Sequence, residues 1–324
     1  MFGCWINRLL GRERTVATHS PRPDGANATA LPPMESPAAH RDPERDHFLA
    51  QLGADTLQDS TAARPLVEKL RALAEEETLA RHIPRLPTLV PRLLQALRDP
   101  TRSTADYVAL IRDDPAAIAE ILRVANSALY NRGTPLQGIE QAVARLGTDG
   151  LRETVSRLAF RPVMRRDANQ ALTPSWRLIA KTSAAAAALA TATGGARFEA
   201  WLGGLAFHTG ALVAAKALPV TAPPPTRALF EARHVLLPKI ARKVAQEWEF
   251  PSAVVQALDA QDKPNGASLG AIVQAAHRLA LVHSLIESGR YEAHEREADW
   301  LAGSALSPLA DKAWAALDQV DETD

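Results

Sequence analysis

From Leu89 to Leu158 the apolar residues recur every three to four positions, and each run is cut short by a proline, a glycine or a capping residue. A stripe at that spacing covers one face of an α-helix, and short helices become stable only by burying such faces against one another. Leu89, Leu93, Leu94 and Leu97 mark a helix after Pro87 that ends by Asp99-Pro100, because proline cannot continue it. Ser103 and Asp106 form a capping-box pair ahead of Tyr107, Leu110 and Ile111. Asp114-Pro115 sets an N-cap aspartate before an N1 proline and opens a helix carrying Ile118, Ile121, Leu122, Ala125 and Leu129. Ile139, Val143 and Leu146 form the next helix, which stops at Gly147, and Thr148 caps one with Leu151, Val155 and Leu158 inward. Five short helices on short connections predict a compact helical array.

The rest of the chain extends the pattern. Helices are predicted over Pro174–Thr193, stopped by Gly194-Gly195, and over Phe198–Leu218, with Trp201, Leu205, His208 and Leu212 at helical spacing. After Pro223-Pro224-Pro225 come Phe230–Glu247, Ser252–Ala260, Leu269–Ser288 and a final helix within Ser307–Val320. Upstream, Leu66, Leu70, Leu73 and Ala74 give a stripe in Arg64–Ala80, and Phe48, Leu49 and Leu52 start a short helix. Aromatic residues make up only 5% of the chain and the apolar runs are rich in alanine and leucine, which favours helix over sheet. The expected fold class is all-α.

The 324 residues suffice for one large or two modest domains with a real core. Lys plus Arg equals Asp plus Glu, 37 each, so a globally basic nucleic-acid binder is disfavoured and DNA is not an expected partner. A single cysteine, Cys4, excludes an internal disulfide and suits a reducing, cytoplasmic setting. Phe2, Trp5, Ile6, Leu9 and Leu10 share one helix face beside Arg8, Arg12 and Arg14. That stripe in residues 1–14 reads either as a peripheral docking element for a membrane or partner, or as a frayed or folded-back terminus. Thr15 to Asp46 is rich in proline, alanine, serine and charge, and reads as a disordered linker.

Several motifs in order resemble one family. Leu86-Pro87, the run Asp113-Asp114-Pro115 through Leu122-Arg123-Val124-Ala125-Asn126-Ser127-Ala128-Leu129-Tyr130, and Ile139 to Gly147 resemble the HDOD domain, the HD-related output domain of bacterial signalling. Trp201 through His208-Thr209-Gly210 and Glu247-Trp248-Glu249-Phe250-Pro251 resemble its later helix and turn. The resemblance implies an HDOD-like multi-helix bundle over residues 82–290. Residues 82–173 would form an N-terminal bundle and 174–290 a degenerate HD-type half. Residues 1–45 and 46–81 would precede it, the latter as a helical lead-in, and 291–324 would follow as a helical tail.

The related HD enzymes hold a divalent ion on histidines and aspartates, which activates water and polarises a phosphoryl oxygen. Set against that pattern, Leu178 stands where the first histidine would be and His208-Thr209 where the His-Asp pair would be. Gln261-Asp262 replaces paired histidines, and His277 stands at the late aspartate. One or two candidate ligands remain, so no metal, no cofactor and no catalysis are expected. The resemblance implies regulation through an unidentified signalling partner or a small ligand.

Each candidate residue has a plainer alternative. His208 is the best-placed single ligand, or an interior histidine satisfied by the backbone. Asn126 and Ser127 read as a helix-ending and packing device, or as a ligand contact. Arg145, Arg152, Arg157, Arg161, Arg165 and Arg166 could hold a phosphate or a nucleotide second messenger, with Arg145, Arg165 and Arg166 as its binders; otherwise they form a solvated face balanced by Glu140, Asp149 and Glu153. The competing function is an HD-type metal-dependent phosphohydrolase acting on a nucleotide or second messenger. It requires His208, with His234 or His277, to converge with Asp259 or Asp262. Phosphate-loop, dinucleotide, zincin and nucleophile-elbow motifs are absent from the sequence.

Overall fold

The computed structural model describes residues 41–320 except 76–78, 85–95, 97–102, 112–114, 128–129, 131–132, 166–173, 219–221 and 260–265. The N-terminal stripe, most of the helix expected after Pro87, Arg166 and Asp262 lie outside the described residues. The described helices are α1 Pro43–Gln51, α2 Arg64–Glu75, α3 Thr104–Ile111, α4 Pro115–Ala125 and α5 Ile139–Arg165. They continue with α6 Trp176–Ala192, α7 Arg197–Phe207, α8 Thr209–Ala217, α9 Arg227–Glu247, α10 Ser252–Ala257, α11 Leu269–Glu287 and α12 Ala310–Val320. The fold is all-α, and among the described residues the only β-type pairing is an isolated bridge between Gln58 and Thr226.

The helix starts follow their caps. Ser103 and Asp106 exchange the expected hydrogen bonds, the Ser103 N–H donating to Asp106 Oδ2 at 2.8 Å. Ser175, Thr226 and Ser268 cap α6, α9 and α11. Gly147 adopts φ 67°, ψ −179° and breaks α5 where the sequence placed a stop. Two expectations need correction. Pro43 is not a linker proline: Asp42 accepts from the N–H groups of Glu44 and Arg45, and Pro43 takes the N1 position of α1. The helix expected over Phe198–Leu218 is interrupted at His208, which ends α7 and begins α8.

Three of the cores among the described residues share two long helices. The first collects Tyr107, Ile111, Ile121, Val143, Leu151 and Val155 from α3, α4 and α5. Further along α5, Phe160 enters a second core and packs on Trp248 and Phe250, with ring centroids 5.6 and 5.7 Å away. The third joins α6 and α11 to Trp300, Leu306, Trp314 and Leu317 near the C-terminus. Lys181, fully buried on α6, donates to Glu287 and, at 3.0 Å, to Nδ1 of His283. His283 therefore carries its proton on Nε2 and donates to Asp318 of α12 at 3.3 Å. Leu269–Glu287 is long and apolar enough to span a bilayer, but most of it is spent in this core.

Glycines set the closest approaches. A Cβ at Gly204 would lie 2.7 Å from Ser183 Cα, so α6 and α7 meet backbone to backbone. A Cβ at Gly210 would lie 2.0 Å from the Leu237 carbonyl oxygen on α9. Gly204→Ala and Gly210→Ala should each cost about 3 kcal/mol in urea denaturation, because the obstructing atoms are backbone. Gly138→Ala, whose Cβ would meet only side-chain atoms at 3.8 Å or more, should change stability little.

Candidate functional site

The break between α7 and α8 creates the site. It places His208 at the edge of a cavity of about 320 Å³, closed by α1 on one side and by α9, α10 and α11 on the others. His208 is 4% exposed, and its Nε2 lies 3.0 Å from Thr182 Oγ1. The Thr182 hydroxyl donates its only proton to the Leu178 carbonyl at 2.8 Å. It must therefore accept from Nε2–H, which leaves Nδ1 of His208 as the acceptor. The next residue, Thr209, turns away: its hydroxyl donates to the Ala206 carbonyl at 2.7 Å.

His277 of α11 packs against His208, with centroids 5.0 Å apart, and against Phe207 at 4.6 Å. Its Nδ1 is buried and has no hydrogen-bond partner. Helix α1 adds Glu44, His47, Phe48 and Gln51 to the lining. Glu44 Oε2 is 2.8 Å from His234 Nδ1, the Phe48 ring is 5.7 Å from Phe230, and the Arg233 guanidinium sits 4.8 Å over the Phe48 ring.

Burial sets the charges. It pushes His208 down to about 3 and His47 down to about 4, with His47 adding to the shift at His208 and Arg233 to that at His47. His277 is held well below its ordinary value by burial first and by His208 next. These three imidazoles are neutral at pH 7. Arg233 is lowered to about 10 by burial against the opposing pull of Glu44, and it stays cationic. Glu44 is raised by burial, an effect that His234 opposes. The cavity thus combines neutral imidazoles with a desolvated cation, Arg233, and a desolvated carboxyl group, Glu44.

The structure brings His208, His234, His277 and Asp259 to one cavity, with Leu178 among them. His234 lies inside α9, within the helix expected over Phe230–Glu247. The fit to a divalent metal is poor. Leu178 offers no donor, the Thr209 hydroxyl is spent on the Ala206 carbonyl at the end of α7, and Asp259 accepts from Arg242 at 3.0 Å. Among the described residues no three His, Cys, Asp or Glu side chains are placed to hold a metal ion.

The arginine run is dispersed. Arg152 donates to the Tyr107 hydroxyl at 2.7 Å, and Arg157 lies 3.4 Å from Glu120. Arg145 is half-buried on the first part of α5 and does not line the cavity, and Arg165 is the last residue of α5. Asn126 clips the chain: its Nδ2 donates to the Leu136 carbonyl at 2.9 Å and its Oδ1 accepts from the Leu136 N–H at 2.7 Å. Ser127 Oγ donates to the Val124 carbonyl. Nothing in the sequence marks Glu44, His47, Phe48 and Arg233 as members of a site. Asp42-Pro43 carries the same cap signal as Asp114-Pro115 and marks where α1 begins, but nothing local announces that α1 closes a cavity.

The HDOD domain family profile matches residues 83–264, more than half of the chain. A crystal structure of a candidate phosphohydrolase from Shewanella amazonensis SB2B is similar, with a TM-score of 0.58 and 22% identity over 78% of this chain and 100% of that one. A candidate signal transduction protein from Marinobacter aquaeolei VT8 has a TM-score of 0.51 and 19% identity over 86% of this chain and 66% of that one. An uncharacterised protein of Treponema pallidum (strain Nichols) is 26% identical over 189 residues, 54% of this chain, which spans only 37% of that relative's length. At these identities the solved structures show the fold.

The buried histidines predict an acid-sensitive fold. The folded pKa of His208, about 3, lies below the ordinary 6.5, so the unfolded chain binds more protons between those values. Stability is full above pH 6.5 and falls as the pH drops through that window, by about 1.4 kcal/mol per pH unit for each such histidine. Denaturation at pH 7.5 and 5.5 should show this loss, and His208→Gln should reduce the slope.

Proposed function

The chain belongs to the HDOD domain family, and on that footing we propose that it is a signalling module that works by binding rather than by catalysis, with the His208 cavity as its sensing site. The observation that carries this reading is the fate of the positions where the related enzymes hold their ion. Leu178 has no donor, and the Thr209 hydroxyl donates to the Ala206 carbonyl. What lines the cavity instead suits recognition: neutral imidazoles, with Nδ1 of His208 left as an acceptor, and the guanidinium of Arg233. A small polar ligand with hydrogen-bond donors and one negatively charged group matches that lining. Its arrival would bear on α1, which supplies Glu44, His47, Phe48 and Gln51, and so alter the surface offered to a signalling partner.

One observation favours the hydrolase alternative. His208, His234, His277 and Asp259 line a single cavity, and Nδ1 of His277 is unpartnered there. Metal loading separates the two. Protein purified without chelator, incubated with Mn²⁺ and desalted should retain negligible metal and leave p-nitrophenyl phosphate and bis-p-nitrophenyl phosphate intact. Near-stoichiometric Mn²⁺ that is lost in His208→Ala would establish the hydrolase reading instead.

A further inference from the structure

Two guanidiniums stand at the His208 cavity without an acid to answer them. Arg233 and His234 of α9 line the cavity. Arg278 of α11 follows the lining residue Gln274 by four positions, so it stands on the same face of its helix. Among the described residues, Arg233 is spent on the Phe48 ring rather than on a carboxylate, and Arg278 Nε is buried without a hydrogen-bond partner. A buried guanidinium nitrogen left unpaired is costly, and an oxyanion removes that cost.

Glu44 meets this group from α1. Its Oε2 lies 2.8 Å from His234 Nδ1, and the charges of Arg278 and Arg233 both act on it. Two other acids are near and both are committed: Asp42 caps α1, and Asp259 pairs with Arg242. One carboxylate thus stands against two guanidiniums, and the balance stays positive. The contact between Glu44 and His234 is also easily given up. Their side chains are 34% and 43% exposed, and an ion pair at that exposure adds little stability. Glu44 can swing into solvent while the rest of α1 stays, because Phe48 and Leu49 are buried and Tyr291 and Glu295 hold Asp46 and Arg41.

We propose that Glu44 is a resident stand-in for the ligand: Arg233, His234 and Arg278 form an oxyanion subsite, and a small doubly charged oxyanion binds there by displacing the Glu44 carboxylate. The inference rests on the reading of this cavity as a sensing site and names the group that the site recognises. A phosphate and a pair of carboxylates share the required chemistry, since guanidinium matches both. Helix α1, Pro43–Gln51, lies ahead of residues 83–264 that match the family, so the displaced carboxylate belongs to a segment outside that match. Displacement sends Glu44 into solvent, so binding changes the charge exposed along α1 as well as filling the cavity.

Equilibrium dialysis of the full chain against labelled inorganic phosphate and, separately, labelled malonate tests the proposal. Saturable binding is expected with at least one of them, and the arm that saturates identifies the source of the charge. Glu44→Gln should tighten binding about 5-fold or more, because the competing carboxylate is gone. Arg278→Gln should weaken it about 5-fold or more and should cancel the gain when added to Glu44→Gln. Glu68→Gln, at an exposed acid of α2, removes the same net charge and should change nothing. The Glu44 side chain is half-exposed, so its variant keeps the test open even if Arg278→Gln perturbs folding. Unchanged affinity in Glu44→Gln, an equal gain in Glu68→Gln, or a gain that survives Arg278→Gln would overturn the proposal and leave the sensing reading standing. The absence of saturable binding of either anion at millimolar concentration, in the native chain and in Glu44→Gln alike, would overturn both.

Discussion

The contact between Gly204 of α7 and the backbone of Ser183 on α6 sets the frame for the helices packed around it. With no side chain at Gly204 and an alanine run on α6, two helix backbones approach more closely than larger residues permit. That approach brings Thr182 to His208, fixes the tautomer of the imidazole and anchors the break between α7 and α8. Gly210, on α8, repeats the device against the Leu237 carbonyl, where α9 passes with Pro238 inside it. The cavity is the space left beside these two tight contacts.

The segments flanking the family match complete the molecule. Helix α1 closes the His208 cavity and is held on both sides. Glu44 meets His234 on α9, and the Tyr291 hydroxyl donates to Asp46 at 2.8 Å. Arg41 also sits over the Tyr291 ring and pairs with Glu295. At the other end, α12 docks on α6 through Trp314 and Leu317, and a relay from buried Lys181 through His283 to exposed Asp318 fixes its register. A buried cation without those acceptors would be strongly destabilising, so the relay specifies position more than it adds stability.

Helix α5 connects two of the cores. Leu151 and Val155 serve the N-terminal core, while Phe160 and Val163 serve the core around Trp248. Arg152 and Arg157 on this helix work inside the fold, on Tyr107 and Glu120. For these two, neighbouring helices supplied aromatic and acidic partners that no local pattern reveals.

The sequence by itself determined the helical class, most helix starts, the stop at Gly147 and the family signature around Asn126. These depend on caps, prolines, glycines and a 3.6-residue period, all of which act within a few residues of chain. It also singled out His208, His234, His277 and Asp259 individually. Only the tertiary structure decided that they share a cavity, that α1 covers it, and that burial keeps His208 and His277 neutral. Those outcomes rest on contacts between segments far apart in the chain, Glu44 with His234 among them, and on the desolvation that only a packed interior imposes.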